Sequence, residues 1–265
     1  MKISIIMPVF NEEKFLEKCL TALMKQTHKP DQIIVVDDGS TDKSPQITSR
    51  FNLTVLTLPV QKSAMIERVP YVMKAGSKLL NEDFDYVGVL DSDTVLEPEY
   101  YEKLVSKLEQ DKRIGIGGGK LNGQPSTGRI LGLIPYVYGC NRLYTRKCWF
   151  RLNSGKILKP VPTWDTYHNI YAQMLGFKTQ RFDDIQSWAL RPAGLGKEFN
   201  KGYQSYQLGY YGLFLFARAI KNCNLKMISG YLKAMFSNEK QYPVKSYIRR
   251  LQAYRIKRLL SGRLR

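Results

Sequence analysis

Tyr86-Val87-Gly88-Val89-Leu90-Asp91-Ser92-Asp93 is the stretch on which the fold turns. A short apolar run followed by carboxylates at i and i+2 reads as a buried strand whose C-terminal tip delivers both acids into a crevice. Side chains alternate faces along a strand, so the two carboxylates converge only if the chain turns after Leu90. Converged, they suit a hard divalent cation that keeps waters and also takes phosphate oxygens. The same spacing serves as an ordinary cap or turn, so the flanking segments decide.

Those segments alternate. Ile3 to Val9 reads as a strand and Glu12 to Gln26 as a helix, with Phe15, Leu16, Cys19, Leu20 and Leu23 on one face. Asp31 to Val36 and Leu53 to Leu58 are further strands, separated by a short helix from Ser44. A helix is expected over Ser63 to Leu80, bent or interrupted by Pro70. Asp85 to Leu90 is the next strand, Pro98 opens a helix to about Gln110, and Ile114 to Leu121 follows as a glycine-rich strand. This is the pattern of a mostly parallel sheet flanked by helices. Farther on, Gly123 to Gly132 reads as a loop and Val137 to Thr145 as a strand before a short helix at Arg146. Asp165 to Leu175 reads as a helix and Phe177 to Trp188 as a strand. Beyond Arg191 come glycine-punctuated loops and basic helices. The reading divides the chain into an α/β domain over 1–220 and a basic helical extension over 221–265.

Composition narrows the class. The chain has 265 residues, enough for one large α/β domain or one domain with an appendage, and 43% hydrophobic content fits a packed core rather than disorder. Cys19, Cys140, Cys148 and Cys223 form no Cys-x-x-Cys pair, and only His28 and His168 accompany them, which argues against structural zinc. Spread thiols without an export signal fit buried cysteines in a reducing, cytoplasmic setting. The net charge of +18 is unevenly placed: residues 1–190 carry 25 lysines and arginines against 21 acids, whereas residues 191–265 carry 16 against Glu198 and Glu239. Such a tail seeks a polyanion, whether acidic lipid, nucleic acid or a phosphorylated substrate.

Two more polar segments fall at expected strand tips: PVFNEE at 8–13 and VVDDGSTD at 35–42. Acids at three successive tips are costly unless a cation or a donor-rich ligand uses them. Together with LDSD at 90–93, this ordered set resembles the family 2 glycosyltransferases of GT-A fold. The resemblance is strong over residues 1–120. It extends more loosely to about 220 through GCNRLYTRKCW (139–149), Trp164-Asp165 and LRPAG (190–194).

The resemblance implies an inverting transfer of one sugar from a nucleotide-sugar donor, UDP- or GDP-linked, assisted by Mg²⁺ or Mn²⁺. It implies that Pro8 and Glu12 shape the nucleoside pocket and that Asp38 accepts from the imide N–H of the base. Asp91 would approach the ribose and diphosphate, and Asp93, with Asp91, would hold the metal. Asp165 matches the position of the base that takes the acceptor's proton, although an aspartate there also serves as a plain helix cap. Asp37 and Asp42 also suit capping in the Asp-Gly-Ser-Thr turn. His168 is set aside as a packing or surface residue. The chain departs from the family at Ala189, where a histidine often precedes the arginine by two, so this loop offers no histidine as a third metal ligand and leaves open whether one exists; Arg191 could instead contact the diphosphate directly. Arg68 is a further candidate for the donor. No Gln-x-x-Arg-Trp is present, which favours addition of one sugar over polymerisation.

Residues 240–265 hold nine lysines and arginines and no acid. On a helical wheel Val244, Tyr247, Ile248, Leu251 and Tyr254 cluster between basic flanks, which suits an anionic membrane surface or docking on the chain's own domain. A membrane role fits a lipid-linked glycan or polyprenyl phosphate acceptor and a peripheral position on the cytoplasmic face. The apolar run Leu208 to Ile220 has 13 residues and includes Arg218, short of the about 20 that span a bilayer. Two rivals rank lower. A nucleic-acid-binding protein lacks its motif here, and the acidic tips repel phosphate without a metal, so no nucleic acid is expected. A sugar-phosphate nucleotidyltransferase wants a Gly-rich loop where Asn11-Glu12-Glu13 stands.

Overall fold

The computed structural model describes residues 1–59, 65–123, 129–130, 134–155, 158, 161, 163–191, 198–221 and 224–261. The loop over 124–128 and 131–133, the start of the Ser63 helix, Pro162, Pro192 to Gly194 and Cys223 lie outside these residues. Contacts group the chain into two compact units, 1–128 with 135–193 and 129–134 with 194–265.

The first unit is built on an eight-stranded sheet of order β3-β2-β1-β4-β9-β6-β10-β5. Its strands are β1 (Ile3–Val9), β2 (Gln32–Asp37), β3 (Thr54–Thr57), β4 (Tyr86–Leu90), β5 (Thr94–Leu96), β6 (Ile114–Asn122), β9 (Asn141–Thr145) and β10 (Lys178–Ala189). A separate ladder joins β7 (Arg129–Ile130) to β8 (Ile134–Pro135). Strands β1 to β4 run parallel, β9 is antiparallel to both β4 and β6, and β5 is antiparallel to β10. The sheet is therefore mixed and mostly parallel, as expected.

Period-2 alternation divides the core. Ile3, Ile5, Met7 and Val9 of β1 pack with Leu16, Leu20 and Leu23 of α1 (Leu16–Met24) and with Tyr100, Leu104 and Leu108 of α4 (Tyr100–Gln110). Ile6, Ile34 and Val36 face the other way, onto Val72 and Met73 of α3 (Met65–Ser77), Trp149 and Leu152 of α5 (Arg146–Asn153) and Trp164 of α6 (Trp164–Met174). Both faces of β1, β2 and β4 are covered, which explains their largely unbroken apolar sequences, whereas β3 at the sheet edge is mostly exposed. Gly88 leaves room at the centre of β4 for Ile5, whose Cδ1 a Cβ there would approach to 2.3 Å. Helix α3 runs on through Pro70 rather than breaking there. The sequence reading did not foresee β5; its three residues gain strand geometry only by pairing with Ser187 to Ala189. The short α2 (Ser44–Thr48) completes the connection from β2 to β3.

The second unit is helical: α7 (Glu198–Gln207), α8 (Gly212–Lys221), α9 (Leu225–Phe236) and α10 (Lys245–Leu260). Two glycines set its packing. A Cβ on Gly202 would lie 1.9 Å from Met227 O, and one on Gly230 2.0 Å from Phe199 O, so α7 and α9 touch backbone to backbone. The expected division at 220/221 falls inside α8, and of the glycines read as loop punctuation Gly202, Gly212 and Gly230 lie within helices. The apolar run 208–220 is interrupted at Gly209 (φ 84) and then forms α8, with Leu215 and Ala219 buried and Leu213 and Ile220 exposed. Val244, just before α10, and Ile248 and Gln252 within it are buried, the Gln252 side chain accepts from Tyr211 N–H at 2.9 Å, and Tyr254 is exposed. The first half of the basic helix therefore docks on its own unit. Among the described residues, no helix is long and apolar enough to cross a membrane.

Candidate functional site

The loops that follow β1 and β2 are laced together. Asn11 N–H donates to Ser40 Oγ (3.0 Å), Glu12 N–H to Ser44 Oγ (2.8 Å) and Glu13 N–H to Asp42 Oδ2 (2.9 Å). In return Thr41 N–H reaches Asn11 Oδ1 (2.8 Å) and Lys43 N–H reaches Glu13 Oε2 (3.0 Å). Asn11 takes the left-handed conformation, φ 53, which asparagine tolerates well. Asp37 accepts from Ser40 N–H and Asp42 from Ser44 N–H, so both hold turns. Pro8, in register with Val36, is half-buried beside them.

Asp38 is different. Its carboxylate is buried and both oxygens are taken by Arg68 of α3: Nε donates to Oδ2 at 2.6 Å and Nη2 to Oδ1. This fork-to-fork pair holds guanidinium and carboxylate in one plane. Arg68 meets Asp38 rather than standing apart from it.

At the end of β4 the chain turns. Asp91 N–H donates to Cys140 O (3.1 Å), Thr94 N–H to Asp91 O (3.1 Å), and Leu190 N–H to Asp93 O (2.8 Å). The turn is thus pinned between β9 and the end of β10, and Ser92 and Thr94 are buried within it. Burial is the largest cause raising the Asp91 carboxyl to about 7; the negative charges of Asp93, Asp165 and Glu12 add to it, and Arg142 opposes. Four carboxylates from distant parts of the chain therefore share one field. Burial also raises Glu12, while Arg191 pulls it back. Arg191 Nη2 donates to both Glu12 oxygens at 2.5 Å, and its Nε lies 3.5 Å from Asp93 Oδ2. Its guanidinium also sits 5.7 Å from the Phe15 ring centroid.

Asp91 and Asp93 supply the hard oxygen donors that a magnesium- or manganese-sized cation takes, and their acidic neighbours favour positive charge. Among the described residues, no three His, Cys, Asp or Glu side chains converge as a metal site, so protein oxygens alone close no cage.

Asp165 is the second residue of α6, and the cap position belongs to Thr163, φ 53; the plain N-cap reading does not apply. Its Oδ1 accepts from Thr166 N–H at 2.6 Å, and its Oδ2 accepts from the Tyr136 hydroxyl. Gly139 makes room, since a Cβ there would lie 3.2 Å from Asp165 Cβ.

Beneath lies a network the sequence reading missed. Arg142 is 1% exposed, and its guanidinium donates to the carbonyls of Tyr138 (2.7 Å), Val137 and Asp165 (3.3 Å) and to Tyr144 Oη (3.2 Å). It also lies 5.0 Å from the Trp164 ring centroid. Asn169 ties the same loop, donating to Val137 O (2.9 Å) and Asp165 O (2.8 Å). His168 is fully buried, with Nδ1 2.9 Å from Tyr144 Oη. Burial, then the Arg142 charge, holds its ring at about 3, so it is neutral at pH 7. The mixed residue types of 136–145 carried no periodic signal pointing to a buried cation; a charged residue inside the predicted strand 137–145 was the one available hint.

The sequence profile described as "Glycosyl transferase family 2" matches residues 4–178, more than half of the chain, and the chain belongs to that family. Glycosyltransferase GlyA of Streptococcus pneumoniae is 35% identical over 125 residues, which is 44% of this chain and 16% of that protein. GlyG of the same organism is 29% identical over 116 residues, 43% of this chain and 38% of that protein. The aligned region spans well under half of either relative. Among solved structures, the mannosyltransferase PcManGT of Pyrobaculum calidifontis, in complex with GDP-Man and Mn²⁺, superposes with a TM-score of 0.62 at 17% identity, covering 96% of this chain and 69% of that one. S. aureus TarS 1-349 in complex with UDP-GlcNAc gives 0.58 at 21% identity, covering 73% of this chain and 60% of that one. At these identities the likeness establishes the GT-A fold.

Proposed function

We propose that this member of glycosyl transferase family 2 moves one sugar from a UDP- or GDP-linked donor to a hydroxyl or phosphate acceptor, with inversion and with Mg²⁺ or Mn²⁺. The observation that carries the reading is the gathering of Glu12, Asp91, Asp93, Asp165 and Arg191 at the C-terminal ends of the strands, where open α/β sheets bind ligands. The fold likeness to proteins solved with GDP-Man and Mn²⁺ or with UDP-GlcNAc supports the donor class.

In this reading Asp93, with Asp91, holds the cation, which when bound supplies Lewis-acid stabilisation to the departing diphosphate. Pro8 and Glu12 shape the nucleoside pocket, and Asp38 accepts from the base while Arg68 holds its carboxylate in place. Arg191 donates to diphosphate oxygens. Asp165 removes the acceptor's proton on the face opposite the leaving group. The Tyr136 and Thr166 hydrogen bonds fix the plane of that carboxylate and leave each oxygen accepting capacity for the incoming proton. Residues 194–265 carry 15 lysines and arginines against two acids, which favours an anionic membrane surface and a lipid-linked acceptor on its cytoplasmic face.

Calorimetric titration with UDP, GDP, ADP, CDP and dTDP, with and without Mn²⁺, tests the donor site. One nucleotide should bind selectively and with metal, and Asp93→Ala should abolish the metal dependence. Asp165→Asn should retain that binding and lose about 10²–10⁴-fold in turnover. Turnover equal to wild type in Asp165→Asn removes it from the mechanism.

A further inference from the structure

We infer that Arg191 is the resident counter-ion of the donor site: it pairs with Glu12 and Asp93 and gives them up only when a divalent cation arrives together with a diphosphate. The inference deepens the nucleotide-sugar reading and rests on it.

The backbone delivers Arg191 to this place. Ala189 pairs with Thr94, Leu190 N–H donates to Asp93 O at 2.8 Å, and the next side chain emerges beside the Asp93 carboxylate. There Nη2 bridges both Glu12 oxygens at 2.5 Å, and Nε lies 3.5 Å from Asp93 Oδ2. The two partners differ in exposure. The Glu12 side chain is 4% exposed and enclosed, whereas that of Arg191 is 46% exposed and can turn toward solvent.

A divalent cation approaching Asp93 therefore meets a guanidinium already within a few ångströms of the same oxygen. The two positive charges repel, and the field that would attract the cation is partly spent. A diphosphate changes the balance. Its oxygens offer Arg191 the bidentate, charged partner that a guanidinium prefers, and its own charge compensates the incoming cation. Arg191 then moves from acid to phosphate, and the cation takes over its electrostatic role. Cation and diphosphate each favour the same rearranged state, so each must tighten the other's binding by the same factor. The arrangement guards against loading the site with metal alone.

The test is electron paramagnetic titration of Mn²⁺ against wild type and Arg191→Met, with and without inorganic diphosphate, followed by the nucleoside diphosphates. Wild type should bind Mn²⁺ alone weakly and about tenfold or more tightly with diphosphate present. Arg191→Met should bind Mn²⁺ alone about tenfold more tightly than wild type, with the coupling reduced. Affinity for Mn²⁺ alone that is equal or weaker in Arg191→Met overturns the inference. If that variant does not melt cooperatively, Glu12→Gln is compared with Glu12→Gln/Arg191→Met, which removes the charge of Arg191 without stranding a buried carboxylate; the same two outcomes decide. Tightened Mn²⁺ in Arg191→Met, with no nucleoside diphosphate binding to wild type, removes the nucleotide reading and leaves the counter-ion role. The reverse pattern removes the counter-ion role and leaves the donor site.

Discussion

Two arginine–carboxylate pairs stand at neighbouring strand ends and are built for opposite ends. Asp38 and Arg68 form a fork-to-fork pair whose side chains are 6% and 14% exposed. Glu12 is as deeply buried as Asp38, but Arg191 grips it through one nitrogen and remains 46% exposed. A buried pair with matched forks is expensive to break, because either partner alone is an uncompensated charge in a poor solvent. A pair with one wet partner can exchange that partner for a ligand. The comparison teaches that burial of the acid does not decide what a salt bridge does; access to the base does. Arg142 supplies a third case. It is buried like Arg68, yet its hydrogen bonds end on carbonyls and a tyrosine, so it braces the loop beneath Asp165.

Substitutions can break this ordering. Arg68→Met should have the largest effect, costing about 3–5 kcal/mol in denaturant unfolding because it strands Asp38. A cost below about 1 kcal/mol, the range of surface pairs, would make the Asp38 clamp no different from an exposed bridge. Next comes acid. His168 is neutral in the fold with its ring held at about 3, against an ordinary value of 6.5. The unfolded chain takes up this proton first, so stability from this site is intact above pH 6.5 and is lost as pH falls toward 3. The loss should reach about 4 kcal/mol at the acid end, and His168→Gln should lack that part of the pH profile. Identical acid limbs in the two proteins would show that protonation beside Arg142 is tolerated. Smallest, Arg191→Met should cost less than Arg68→Met: it also leaves a buried carboxylate, but Glu12, already raised by burial, takes up a proton once the guanidinium is gone. A loss as large as that of Arg68→Met would erase the distinction between clamp and exchangeable partner.

Legibility followed locality. Strands β1, β2, β4 and β6 were readable within a residue or so of their ends, because each is a short apolar run whose partners demand nothing more than burial. Strand β5 was not, since Thr94 to Leu96 has no pattern of its own and gains its geometry from β10. The acids at the strand tips were all readable as candidates, and the turn that brings Asp91 and Asp93 around was anticipated. Their partners were not. Glu12 and Arg191 are 179 residues apart, and no spacing rule connects them. Arg142 and His168, one inside a strand and one inside a helix, show their shared burial only when α6 packs beneath β9.

By itself, then, the order of residues determined the alternation of strands and helices, the placement of acids at three strand tips, and the basic character of the C-terminal unit. These are local properties, set by side-chain periodicity and charge along the chain. Tertiary structure alone decided which arginine meets which acid, how far each remains exposed to water, and that a backbone-close pair of glycine-bearing helices packs together within the second unit. Those are properties of distance and dielectric between segments remote in sequence, and they come into being only when the chain is packed.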